Sequence, residues 1–421
     1  NRKLQGKVGL YPPGPMEIVV RAAIKLPCTG GELQHIAHGR KGDKQEGRDM
    51  LHGVRVIEVE GIGPGPFAGM MLADLGAEVI LITRKSGPAD PTDINNRGKR
   101  SAALNLKSPE GVEAARILID RADVLIEGFR PGVMERMGLG PAECQARNAG
   151  LVYARMTGWG QTGPMAQMAG HDINYLGLTG FLHATGKADD VPTPPLNIGA
   201  DYGGGTMFLL FGILSALYER QTSGKGQVID AAMVDGASAL MGLIHTWIAR
   251  GHWSETREAN LLDGGAPFYR AYECADGKFL SVGPLETQFF AELVRLAGLP
   301  EDHKATQMDA ASWPERRAEY ARVFARKTRA EWEEVFDGTD ACVAPILTWS
   351  EAPEHPHLAA RGTFTSVDGV TQAAPAPRFD RTPPAAPGRP AAPGADTEAV
   401  LTEAGCDTDT LARLRAAGAL T

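Results

Sequence analysis

From Val54 onward the chain alternates short β-branched runs with segments of helical spacing, and this alternation constrains its fold more than any other feature. Val54-Arg55-Val56-Ile57-Glu58-Val59 predicts a strand, and Gly61-Ile62-Gly63-Pro64-Gly65-Pro66 a turn. Residues 67–75 carry helical spacing, and Glu78-Val79-Ile80-Leu81-Ile82 predicts a second strand. Residues 109–120 predict a helix, and residues 123–126 and 151–155 two more strands. Strands that alternate with helices fold into a parallel sheet covered on both faces, which is an α/β architecture. Residues 208–218 are apolar nearly all round, a pattern that predicts a buried helix.

The pattern changes near Gly265. Residues 268–274 and 278–282 predict a hairpin around Ala275-Asp276-Gly277. Helical segments follow at residues 287–297 and 314–326. A third starts at Thr328, where Thr328-Arg329-Ala330-Glu331 has the spacing of a capping box. Residues 342–347 predict a short strand, and Cys342 within it is expected to be a buried small residue rather than a nucleophile. These elements make a smaller α+β domain. Residues 375–393 are rich in Pro, Ala and Arg and predict a connector. Two short helices are expected at residues 397–404 and 409–417. The resulting division is an N-terminal extension at 1–49, a large domain beginning at 50–235, linker helices at 236–264, a small domain at 265–365 and a C-terminal segment at 366–421. Residues 1–49 mix scattered basic residues with Gly, Pro and acids, and are expected to be a partly disordered extension without a catalytic role.

Composition excludes several classes. A net charge of −8 disfavours nucleic acid as a main partner. The five cysteines are scattered and show no Cys-x-x-Cys pair, which argues against a disulfide framework and a zinc site and fits the reducing cytoplasm. The apolar run at residues 207–217 is too short to cross a bilayer, so no membrane span is expected. The turn at 61–65 is glycine-rich, but Pro64 breaks the spacing of a dinucleotide-binding loop.

Two segments place an ionisable side chain next to residues that suit a tight turn or a helix start. They are Gly170-His171-Asp172-Ile173-Asn174-Tyr175 and Asp201-Tyr202-Gly203-Gly204-Gly205-Thr206. Read alone, Asp201 is equally well a helix N-cap, His171 a structural histidine and Glu286 a residue that favours a helix dipole. Several other segments stand in order along the chain: Asn96-Arg97-Gly98-Lys99-Arg100-Ser101, Ile126-Glu127-Gly128-Phe129-Arg130-Pro131-Gly132, Tyr153-Ala154-Arg155-Met156-Thr157-Gly158-Trp159-Gly160-Gln161 and Ser223-Gly224-Lys225-Gly226-Gln227.

Together these segments resemble the class III CoA-transferase superfamily, and within it the α-methylacyl-CoA racemase branch. The resemblance covers the chain from about Leu51 to its end. It implies a Rossmann-like large domain with a parallel sheet, a smaller domain, and an interlocked homodimer. In the transferases of this family the aspartate at the position of Asp201 attacks a thioester. In the racemases it is a general acid/base, joined by a histidine and a glutamate that correspond to His171 and Glu286. The substrate implied is an acyl-CoA thioester, and CoA is then part of the substrate, so no separate cofactor or metal is expected.

Those residue types suit the chemistry. The carbon beside a thioester carbonyl is weakly acidic, and its deprotonation needs an aligned base and a donor for the enolate oxygen. His171 oriented by Glu286 and Asp201 on the opposite face can exchange the roles of base and acid. The backbone N–H of Asp172, at a helix start, can face the enolate. Arg84, Arg97, Lys99, Arg100 and Arg130 are the candidates for the CoA phosphates, because open α/β sheets bind ligands at strand ends. Three classes stay open on the sequence: a racemase, a CoA-transferase, and a CoA-binding scaffold without activity.

Overall fold

The computed structural model describes residues 49–421, so the reading of the N-terminal extension lies outside the described residues. The large sheet holds β1 (Arg55–Val59), β2 (Glu78–Thr83), β3 (Arg100–Ala103), β4 (Val124–Glu127), β5 (Val152–Thr157) and β6 (Val228–Ala232). Its order is β3-β2-β1-β4-β5-β6, and every pairing is parallel. In such a sheet the order reverses between β1 and β4, and a crevice opens beyond the C-terminal ends of those two strands.

Strand alternation sorts β1 between two cores. Ile57 and Val59 face one side together with Ile80, Ile82 and Leu125. That side is covered by α2 (Pro109–Ile119) and by two C-terminal helices, α13 (Thr397–Glu403) and α14 (Thr408–Ala416), through Leu118, Leu401 and Leu414. Val56 faces the other side with Val124, Ile126 and Val152. There the cover is α1 (Pro64–Asp74), α5 (Asp172–Leu178), α6 (Met207–Ser223) and α7 (Met233–Leu240). The short helices α3 (Val133–Arg136) and α4 (Pro141–Arg147) link β4 to β5, and α8 (Gly242–Ala249) follows α7.

A third core belongs to residues 266–341. There β7 (Arg270–Glu273), β8 (Phe279–Val282) and β9 (Val343–Ile346) form an antiparallel sheet, backed by α9 (Thr287–Ala297), α10 (Trp313–Phe324) and α11 (Arg329–Phe336). The capping box forms: Thr328 N–H donates to Glu331 Oε2 at 2.7 Å and Glu331 N–H to Thr328 Oγ1 at 3.3 Å. After the short α12 (Pro356–Ala360), β10 (Phe364–Val367) and β11 (Val370–Ala373) pair as a hairpin.

The structure corrects the sequence reading at several points. Helix α1 starts at Pro64, inside the expected turn, because a proline at the first helical position gives up an N–H that has no intrahelical acceptor. Strands β3 and β6 and the hairpin β10–β11 were not expected, and the border drawn at 365/366 falls inside that hairpin. In the 236–264 stretch helix stops at Ala249, and residues 250–264 form turns. Cys342 is exposed, at a positive φ of 51°.

Helix α6 departs furthest from expectation. Leu209, Leu210, Ile213 and Ala216 pack on the sheet, whereas Phe211 is 74% and Tyr218 77% exposed. A helix lying on one sheet face buries only one stripe, and no other described element covers its far side. With the preceding turn it is continuous over Ile198–Ser223, which by length and composition alone is enough to cross a bilayer. Its buried stripe packs on the sheet.

Candidate active site

A cavity of about 700 Å³ opens at the crevice beyond β1 and β4. Its walls are the turn after β1 (Glu60, Gly61, Ile62, Gly63), the turn after β4 (Gly128, Phe129, Arg130), the turn after β5 (Gly158, Trp159), His171, Asn197 and Asp201. Each wall is a loop at a strand's C-terminal end or a helix that packs beside it.

His171 sits at the head of α5 in extended backbone, and its N–H donates to Asn174 Oδ1 at 3.0 Å. Tyr175 fastens the preceding loop: its hydroxyl donates to the Gly170 carbonyl at 2.5 Å, and its ring meets Trp159 edge-on at 4.7 Å. A Cβ at Gly158 would lie 2.1 Å from the Tyr175 ring, so glycine is required where the tyrosine crosses the strand exit.

Asp201 lies within a π-helical segment, Ile198–Thr206, that runs into α6. It is therefore not an N-cap, as one reading of the sequence had it. Single π-turns inside helices are rare and concentrate at functional sites. Two contacts hold this one. Asp172 Oδ2 accepts from the N–H of Ala200 at 2.7 Å and from that of Asp201 at 2.8 Å. On the other side Gly204 lies against α7, where an added Cβ at Gly236 would stand 1.8 Å from the Gly204 carbonyl oxygen. Gly236→Ala is accordingly expected to destabilise the fold by about 1–3 kcal/mol, the usual cost of overpacking. A thermal melt of the purified variant checks this, and an unchanged midpoint would show that the two backbones separate freely.

The Asp201 carboxyl is half-buried, and burial pushes its pKa up. The nearby Asp172 charge acts in the same direction, while a hydrogen bond from Asn197 and the charge of His171 oppose them. Gly63, at φ 71°, gives the carboxylate room, since a Cβ there would lie 3.3 Å from Asp201 Oδ2. The buried Glu127 forms the floor, accepting from Phe129 N–H and from Arg155 Nε, both at 2.8 Å.

The family model described as CoA-transferase family III matches residues 51–397. This chain belongs to CoA-transferase family III. Among the family's members, α-methylacyl-CoA racemase of Mus musculus is 46% identical, over 87% of this chain and 96% of its own. The racemase of the same name from Homo sapiens is 45% identical over 86% and 96%. A CAIB/BAIF family protein from Brucella suis shares the fold with a TM-score of 0.72 at 28% identity, covering 85% of this chain and all of its own.

The family fold brings some expected residues together and keeps others apart. His171, Asp201, Arg84 and Arg130 line one cavity. The Arg84 side chain is 83% exposed and meets Glu60 Oε2 at 3.1 Å, so it is free to exchange that partner for a ligand. The other three candidate phosphate ligands are not on the cavity, and this corrects the sequence reading. Arg97 is buried on Asp74, Gln372 and the Ala373 carbonyl. Lys99 is buried on Glu58, Asn96 and the Pro66 carbonyl. Arg100 is held by Glu78 and Glu403. The physical reason is that each cation is already paired with a carboxylate, Arg97 with Asp74, Lys99 with Glu58 and Arg100 with Glu78 and Glu403, which leaves none of the three for a ligand. Glu286 is exposed before α9, has no side-chain capping bond, and does not line the cavity of its own chain. The Asp172 side chain also points away from a cofactor role, because it is engaged under Asp201.

Sequence reasoning missed Asn197, Gly63 and the Asp172 carboxylate. Gly63 carried a signal in the Gly-Pro-Gly-Pro turn. Asn197 carried none, because its contact with Asp201 depends on how the π-turn closes.

Proposed function

We propose that the protein interconverts the R and S forms of 2-methylacyl-CoA thioesters by 1,1-proton transfer through an enolate. The observation that carries this reading is the convergence of His171 and Asp201 on one cavity at the sheet's crevice. Relatives that bear the racemase name at 45–46% identity support it. In one direction neutral His171 takes the α-proton and protonated Asp201 returns one to the opposite face; in the other the roles exchange. The Asp172 N–H at the start of α5 faces the developing enolate oxygen. Arg84 and Arg130 at the rim take the CoA phosphates, and CoA enters and leaves as part of the substrate. Glu286 comes from the partner in an interlocked homodimer and orients the His171 ring. The protein works in the cytoplasm.

A CoA-transferase that uses Asp201 as nucleophile is the second reading, favoured by the family's own description. One incubation separates the two: a single enantiomer of a 2-methylacyl-CoA in deuterated water without an acceptor acid. Racemisation incorporates deuterium at the α-carbon and inverts it. A transferase leaves both label and configuration untouched, and that outcome would overturn the proposal.

A further inference from the structure

The proton-transfer scheme uses only the backbone N–H of Asp172, yet the structure gives its side chain a separate position. Asp172 is 5% exposed. Its Oδ2 receives the N–H groups of Ala200 and Asp201, two successive peptides of the π-helical segment. Its Oδ1 is buried and has no hydrogen-bond partner among the described residues. A carboxylate so placed ties the head of α5, which carries His171, to the turn that carries Asp201.

We propose that the Asp172 carboxylate is a positioning residue for proton transfer, fixing Asp201 relative to His171 and setting a negative charge beside it. The inference rests on the racemase reading. Two backbone bonds to one oxygen define the Asp201 peptide more tightly than helix geometry does, because a π-turn is itself an unfavourable conformation. In the proposed scheme the same residue also supplies its N–H to the enolate, so one side chain and one peptide group would join three parts of the reaction. The neighbouring charge also disfavours a second anion on Asp201 and keeps that group able to return a proton as well as take one.

The remaining charged groups around the segment do not substitute for Asp172. On α5, besides Asp172, Tyr175 senses Asp201, and His171 at its head opposes Asp172. On α1 the charged group is Asp74, tied to Arg97. On β6 it is Asp230, which receives the Gln161 N–H, and on α7 it is the exposed Asp235. On α6, Glu219 and Arg220 stand at the far end, with Arg220 on Asp123.

The test compares the full chain with Asp172→Asn and Asp172→Ala, measuring kcat/KM for inversion of a 2-methylacyl-CoA across pH. Asparagine keeps an oxygen for the two N–H groups and removes the charge. It is expected to keep the π-turn in place while the acid limb of the profile moves to lower pH, since Asp201 then ionises more readily. Alanine leaves two N–H groups unpaired, and kcat/KM should fall roughly 10²-fold, as for a small misplacement of a reacting group. A purely structural role predicts an unmoved acid limb in Asp172→Asn, which would overturn the proposal even where Asp172→Ala fails to fold. If the wild type shows no α-proton exchange, the racemase reading itself fails and this inference falls with it. Exchange in the wild type with an unmoved limb in the variant rejects the inference alone.

Discussion

Asp201→Asn and His171→Ala should each lower racemisation by roughly 10²–10⁴-fold, the usual worth of a positioned acid/base. The two substitutions also carry a stereochemical signature. With Asp201 replaced, His171 still removes the α-proton from the enantiomer whose hydrogen faces it. In deuterated water that enantiomer exchanges its proton without inverting, and the opposite one is inert. With His171 replaced, the pattern reverses. Proton NMR of each pure enantiomer with each variant reads this directly. Asp201→Asn preserves the shape of the side chain, and the Asp201 N–H bond to Asp172 involves the backbone, so the π-turn is expected to persist. Loss of activity then reports on the proton and not on the fold. Inversion at the wild-type rate in either variant would remove that residue from the mechanism.

The parallel sheet was legible because its signal is local. β-branched runs at 55–59, 78–83 and 124–127 stand out against flanking Gly and Pro, and buried strands need no partner to be recognised as such. Strand β6 was hidden because Asp230 interrupts its apolar run, and its place comes from pairing with β5, which is a long-range event. The convergence of His171 and Asp201 was legible only through the order of several motifs along the chain. Neither residue's neighbours reveal that a π-turn will face a helix head. Arg97, Lys99 and Arg100 misled for a related reason. A basic cluster beside a strand reads as a phosphate site, but whether its charges are already paired depends on contacts with residues distant in sequence. Arg97 and Lys99 each find buried carboxylates, Asp74 and Glu58, and a buried cation paired in this way holds elements together and is not available to a ligand.

The exposed Glu286 and the uncovered stripe of α6 lead to one expectation about assembly. Within its own chain the Glu286 carboxylate caps nothing and lies off the cavity that holds His171. The aromatic and aliphatic stripe of Phe208, Phe211, Leu214 and Tyr218 is left open on a helix whose head carries Asp201. Both features are satisfied if a second copy packs there and delivers Glu286 to His171, as the proposed interlocked homodimer requires. Co-expression of Asp201→Asn and Glu286→Ala chains under two affinity tags tests this. Each homodimer should be nearly inactive, because every one of its sites carries the same lesion. In the heterodimer one site combines both lesions and the other has neither, so activity should return to about half that of wild type. A site built within one chain predicts the opposite result. Purified heterodimers would then remain as inactive as their parents, since every site would keep one lesion, and Glu286 would lose its proposed place beside His171.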